Sequence, residues 1–149
     1  MREADLPEQG MTTPSDIVYI LANCRTIAVV GLSANPARPS HGVAQYMQAR
    51  GYQIIPVNPN ETSVLGERCY PSLSAAASHE KFDLVDCFRN SADMAPIVDE
   101  TIALADAAGI KAIWMQQGIA HPQGAAKAQA VGLLVVQDRC LKIEHRMLY

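Results

Sequence analysis

The chain has 149 residues, 49% of them hydrophobic and 18% charged, with a formal net charge of −3. That composition suits one domain with a sizeable core and excludes an intrinsically disordered chain. With 12 Lys and Arg against 15 Asp and Glu and no long basic run, nothing supports general nucleic-acid binding, and an anionic ligand has to be held by local donors.

Taken in chain order, "MREADLPEQG" lacks the apolar centre of a signal peptide, and no stretch reaches membrane-spanning length. A soluble, cytoplasmic protein is expected, with residues 1–10 as a mobile tail and residues 11–149 as one domain. A capping box of Thr13 and Asp16 around Pro14 predicts an extra N-terminal helix. Short apolar runs near 26–31, 53–57, 82–88, 111–115 and 133–136 are continuous rather than alternating, as in strands covered on both faces.

Helical patterns fill the gaps. The first follows Ser40 as its cap and turns Val43, Tyr46 and Met47 inward. The next is capped by Asp93 rather than Ser91, with Pro96 in its first turn and Ile97, Ile102, Leu104 and Ala108 on its apolar face. The alanine-rich "HPQGAAKAQAV" is thin enough to sit close to a sheet. Gly51, Gly109 and Gly132 each end a helical segment just before an apolar run, the usual place for a left-handed closing residue. Cys24, Cys69, Cys87 and Cys140 are far apart and form no C-x-x-C pair, which fits a reducing compartment better than a disulfide framework.

Alternating strands and helices imply an α/β fold: a Rossmann-like, doubly wound parallel five-stranded sheet, expected in the order 3-2-1-4-5. Ligands of such sheets bind beyond the carboxyl ends of the strands, where the order reverses. That rule selects the loops "LSANPARPS", "NPNETSVLG", "RNSAD" and "QQGIAHP". The first leads into a helix N-terminus, which favours phosphate. Arg38 can add a two-pronged contact there, and Ser33 or Ser40 a hydroxyl.

The same loop lacks the G-x-G-x-x-G spacing of a dinucleotide site. Asn58 and Pro59 also stand where an NAD site carries a ribose-binding acid. NAD is therefore disfavoured, while NADP stays open through Arg38. Plainer readings remain open too. Arg38, Arg89 and Arg139 follow strand carboxyl ends, but Arg25, Lys81 and Lys111 sit at the opposite edge. Gly31 and Gly118 can be turn glycines, and Asn58–Pro59 a rigid turn. Cys140, Glu144 and His145 are close in sequence, yet Cys140 and His145 miss helical i, i+4 spacing and no second pair completes a zinc set. A structural role for that tail is expected, with no metal and no catalytic set.

Six stretches in order, "VGLSANPARPSHGVAQYM", "GYQIIPVNPN", "VLGERCYPSL", "DLVDCFRNS", "IWMQQG" and "GLLVVQDRCLKIEH", resemble the single-domain CoA-binding proteins. These are similar to the N-terminal domain of the succinyl-CoA synthetase alpha subunit. The resemblance spans about Thr26 to Arg146 and implies a Rossmann-like domain that binds coenzyme A or acyl-CoA. Carried over, the loop from Gly31 and Leu32 to Ser40 would hold the phosphates, with Ser33, Arg38 and Ser40 as donors. Val57, Asn58 and Pro59 would flank the adenosine end. Phe88, Arg89 and Asn90 would line the next part of the cleft, and Gln117 and Gly118 the pantetheine arm. None of His41, His79, His121 and His145 matches the phosphorylated histidine of the synthetase's ligase half.

The missing acid is consistent with CoA, because a carboxylate would repel a nearby phosphate. The expectation is non-catalytic binding, as a sensor, a carrier or a partner to a separately encoded enzyme. The alternative is an NADP-type oxidoreductase on the same fold. An uncovered edge strand also leaves room for a homodimer.

Overall fold

The computed structural model describes residues 13–149. The tail expected at residues 1–10 lies outside them. α1 (Pro14–Asn23) begins with the expected box: the Thr13 hydroxyl accepts from the Asp16 amide (3.2 Å) and the Asp16 carboxylate accepts from the Thr13 amide (3.3 Å). It is followed by β1 (Thr26–Val30), α2 (Pro39–Ala49) and β2 (Gln53–Val57). A small hairpin, β3 (Ser63–Val64) and β4 (Glu67–Arg68), leads to α3 (Leu73–Ala77) and β5 (Leu84–Cys87). α4 (Met94–Ala108), β6 (Ala112–Met115), α5 (Pro122–Ala130), β7 (Leu134–Val136) and α6 (Leu141–Leu148) complete the chain.

The five main strands are parallel and buried on both faces, as their unbroken apolar runs require. One face packs Ile20 and Leu21 of α1, Val43 and Met47 of α2, and Leu141 of α6 against Ile27, Leu84 and Trp114. The other packs Leu73 of α3, Met94 and Val98 of α4, and Ala125 and Ala128 of α5 against Val85, Ile113 and Val135. α5 is thin as expected. Its Gly124 sits so close that an added Cβ would lie 2.8 Å from His121 Nδ1 and 3.1 Å from Val98. His121 serves as cap, its Nδ1 accepting the Gly124 amide at 2.9 Å.

The fold is the expected doubly wound α/β sheet, but the order of the strands differs. It runs β2-β1-β5-β6-β7, so the third main strand pairs with the free side of β1 instead of lying outside β2. The place outside β2 belongs to a single residue. Tyr70 bridges Val57 in parallel, its amide donating to Pro56 O (3.0 Å) while its carbonyl accepts from Asn58 (2.9 Å). Counted as a strand of one residue, Tyr70 restores the sequence 3-2-1-4 at this edge and makes β5 the fourth member. Pro71 follows at once and has no amide to continue a ladder, so no apolar run marks this strand. The β3–β4 hairpin spans the crossover on the face of α2, burying Val64 and Cys69 there.

Two helix details also depart from expectation. α2 is entered through Arg38 and Pro39, and Ser40 lies inside the first turn, so it does not cap the helix. In α4 the residue before the helix is Asp93, as expected, but its side chain makes no cap hydrogen bond. The deepest side chains of α4 are Met94, Val98, Thr101 and Ala108, with Ile97, Ile102 and Leu104 at the margin of the core.

Candidate functional site

The reversal of strand order falls between β1 and β5, which places the loops after Val30 and after Cys87 side by side. They meet at Gly31. Its φ is +85°, and a Cβ there would lie 3.3 Å from Phe88 O and from Arg89 Cδ, so only glycine lets the two loops approach this closely. The Gly31 amide is tied to Val57 O (2.8 Å) and the Phe88 amide to Val30 O (2.9 Å), which aligns the carboxyl ends of three strands.

The loop after Gly31 holds itself together. Ser40 Oγ accepts the Ser33 amide (3.0 Å), Ser33 Oγ accepts the Asn35 amide (3.0 Å), and Asn35 Oδ1 accepts the Ala37 amide (2.9 Å). Each serine oxygen thus receives a backbone N–H and keeps its own hydroxyl hydrogen to donate. The Arg38 guanidinium makes no ion pair among the described residues. Gly31, Ser33, Arg38, Ser40 and Phe88 line a cavity of about 390 Å³ at the N-terminus of α2. Two hydroxyls, a guanidinium and the positive end of a helix line it, a set of groups whose chemistry suits an anion.

A second cavity of about 300 Å³ shares Gly31 and extends over Val57 and Pro59 toward α3 and α4. Pro71, Pro96 and Ile97 give it apolar walls, and Arg89, Asp93 and Glu100 its charges. Arg89 pairs with Asp93 at 3.6 Å, both about half exposed, and Glu100 Oε2 accepts from Ser74 Oγ at 2.7 Å.

The remaining expected residues are placed differently. The Leu32 side chain is fully buried in the core, and its carbonyl accepts from Asn58 Nδ2 (3.0 Å). Asn58 Oδ1 accepts the Asn60 amide (2.9 Å), so one end of this side chain joins the first two loops and the other holds a turn within the second. An acid at position 58 could not donate to Leu32, which is a structural reason for the amide. Asn90 is exposed and its carbonyl accepts from the Asp93 amide (2.8 Å). Gln117 is exposed and Gly118 donates to Asp138 (2.6 Å); neither lines the two cavities. Arg139 stands apart from the cleft, near Glu144 (3.8 Å), with its carbonyl accepting from Trp114 Nε1 (2.8 Å). In the C-terminal helix His145 is buried, with Nδ1 3.0 Å from the Tyr46 hydroxyl. Among the described residues no group of three His, Cys, Asp or Glu is placed to hold a metal ion.

Sequence reasoning missed the α3–α4 side of the second cavity, because Ser72, Pro96 and Glu100 follow no strand end. It also missed Asp86, which lies within the apolar run of β5 and is 1% exposed. Gln116 Nε2 donates to its Oδ1 (2.7 Å), while Oδ2 has no partner, and burial pushes its pKa up to about 7. An acid inside an apolar strand was a readable signal of this kind.

A parallel, doubly wound sheet with a donor-rich helix N-terminus at its switch point defines a Rossmann-like α/β domain. Within that class the family is plain: residues 25–146 match the CoA binding domain, and the chain belongs to that family. YneT of Bacillus subtilis strain 168 is similar at 36% identity over 137 residues, covering 91% of this chain and 97% of YneT. A hypothetical protein from Pyrococcus horikoshii OT3 superposes with a TM-score of 0.83 at 34% identity, covering 99% of both chains. The dinucleotide-forming acetyl-coenzyme A synthetase 1 of Ca. Korarchaeum cryptofilum shares the fold at 22% identity and a TM-score of 0.64, over 79% of this chain and 27% of that one.

Proposed function

We propose that this protein is a binding module for coenzyme A or acyl-CoA, with no chemistry of its own. It works as a sensor, a carrier or the partner of a separately encoded enzyme. The observation that carries this reading is the donor set of the first cavity: Ser33 and Ser40 have hydroxyl hydrogens to give, and Arg38 has no competing carboxylate among the described residues. The phosphates sit on these three residues and on the N-terminus of α2. Adenine lies in the second cavity against Pro59, Pro71 and Pro96, where Glu100 can accept from its exocyclic amine. The pantetheine arm leaves past Phe88 and Asn90 toward Gln117 and Gly118. No helix of the described residues is long and apolar enough to cross a membrane, and Cys24, Cys69, Cys87 and Cys140 are all free thiols. A reducing cytoplasm suits that state.

The test is thermal unfolding of ligand-stripped protein with CoA, dephospho-CoA, NAD and NADPH. A ligand at about a hundred times its dissociation constant stabilises the native state by roughly 2.7 kcal/mol. CoA is expected to shift the transition, dephospho-CoA less so, and NAD not at all. Replacing Arg38 with Ala removes one charged hydrogen-bonding group and is expected to weaken CoA by about 1.5–3 kcal/mol. A shift with NADPH alone would overturn the proposal in favour of an oxidoreductase.

A further inference from the structure

Arg25 immediately precedes β1 and Arg50 ends α2, so both stand at the amino ends of the sheet, opposite the cleft. With Tyr52, His145 and Tyr149 they line a cavity of about 300 Å³. Arg25 donates through Nη1 to the carbonyls of Cys24 (3.0 Å) and Leu21 (3.5 Å), which end α1. Its Cζ is 5.9 Å from the centre of the Tyr52 ring. Its Nε and Nη2 have no partner among the described residues. Arg50 lays its guanidinium over Tyr46, with Cζ 4.6 Å from the ring centre, and makes neither an ion pair nor a side-chain hydrogen bond among the described residues. Lys142, which is not part of the cavity wall, also stands over the Tyr46 ring at 5.5 Å. The carboxylate of Asp83 is held by the backbone amides of Arg25 and Thr26.

The wall between the arginines is equally specific. Tyr52 donates its hydroxyl to Leu21 O (2.7 Å), so the ring rather than the hydroxyl is available to the cavity. His145 is 5% exposed and packed edge-on by Tyr46 and Tyr52, with Tyr149 stacked on it at 4.7 Å. Its Nδ1 is engaged with the Tyr46 hydroxyl, which leaves Nε2 as the other ring nitrogen of a residue that lines the cavity. Burial, with the Arg50 charge, holds the imidazole pKa below its ordinary value.

We propose that this cavity is a second ligand site, for a small phosphorylated metabolite whose phosphoryl group is gripped by Arg25 and Arg50 with His145 Nε2 as third donor. Two guanidiniums on separate elements present planar forks that match a tetrahedral oxyanion, and neither makes an ion pair with a carboxylate among the described residues. The site shares no residue with the cleft and does not depend on what the cleft binds.

Inorganic phosphate is the probe, titrated into the full chain at constant ionic strength while the His145 ring signals are followed by NMR, with acetate in parallel. Phosphate is expected to give a saturable shift and to raise the His145 pKa, since a bound anion favours the imidazolium. Half-saturation is expected at a concentration at least tenfold lower than for acetate. R25Q/R50Q is expected to weaken the response at least tenfold, and R38Q to leave it unchanged. If the double variant fails to fold, R50Q alone gives the same readout, because that guanidinium makes no hydrogen bond among the described residues. Absence of a saturable response, equal responses to phosphate and acetate, or a response that survives loss of the arginines overturns the proposal.

Discussion

Asp86→Asn is expected to stabilise this protein at neutral and alkaline pH and to remove part of the pH dependence of its stability. Asp86 ionises near 7 in the folded chain against an ordinary value of 3.8, because it is wholly buried. Below about pH 4 it is protonated in both folded and unfolded states and has no linkage effect. Between 4 and 7 the unfolded chain releases the proton and the folded chain retains it, so stability falls as pH rises. Above 7 the full penalty is present. At 1.36 kcal/mol for each tenfold change, the interval from 3.8 to about 7 amounts to about 4 kcal/mol.

Asparagine keeps the oxygen that accepts from Gln116 and never ionises. Its amide nitrogen replaces Oδ2, which has no partner, so about 1–3 kcal/mol is lost again at every pH. A net gain of roughly 1–3 kcal/mol at pH 8 follows from these two terms. The cleaner quantity is the change in the mutant–wild-type difference between pH 4 and pH 8, in which constant packing terms cancel. Urea unfolding of both proteins at several pH values measures it, and about 4 kcal/mol is expected. Parallel stability profiles over that range would refute the assignment of a raised pKa to Asp86.

Two further substitutions test how the cleft is built. Gly31→Ala puts a side chain on a residue with φ +85° and brings Cβ to 3.3 Å from Phe88 O. A loss of about 1–2 kcal/mol in urea unfolding is expected from the backbone strain, together with a smaller thermal shift with CoA; wild-type stability would show that the loops are not tightly joined. Asn58→Asp keeps the acceptor for Asn60 but loses the donor to Leu32 O. It is expected to destabilise by about 1–3 kcal/mol and to create no NAD binding by thermal shift; unchanged stability would refute the role of Asn58 as a tie between loops.

Much of this fold was legible because its signals are local. Thr13 and Asp16 close the capping box within one helical turn, and the unbroken apolar runs mark strands covered on both sides. Gly109 at φ +85° ends α4 where a left-handed residue is needed. Gly31, Ser33, Arg38 and Ser40 could be nominated for the same reason, since a strand end and the helix that follows it are neighbours in the chain. The CoA-binding family was recognisable from six such stretches in order.

Strand order was decided only in three dimensions. Whether β5 lies beside β1 or beyond β2 depends on which edges pair, and the edge beside β2 is claimed by Tyr70 through two backbone hydrogen bonds that leave no pattern in side chains. The same long-range packing placed Pro71, Pro96 and Glu100 around one cavity, turned the Leu32 side chain into the core and committed both ends of Asn58. It also gave Asp86 its raised pKa and brought Arg25, Arg50 and His145 together from three elements. The sequence by itself determined the five main strands, the helices α1, α2, α4 and α5, and the fold class, because propensity, capping and periodicity act over a few residues. Only the tertiary structure decided which loops meet and which charges are buried or unpaired, because those depend on contacts between residues far apart in the chain.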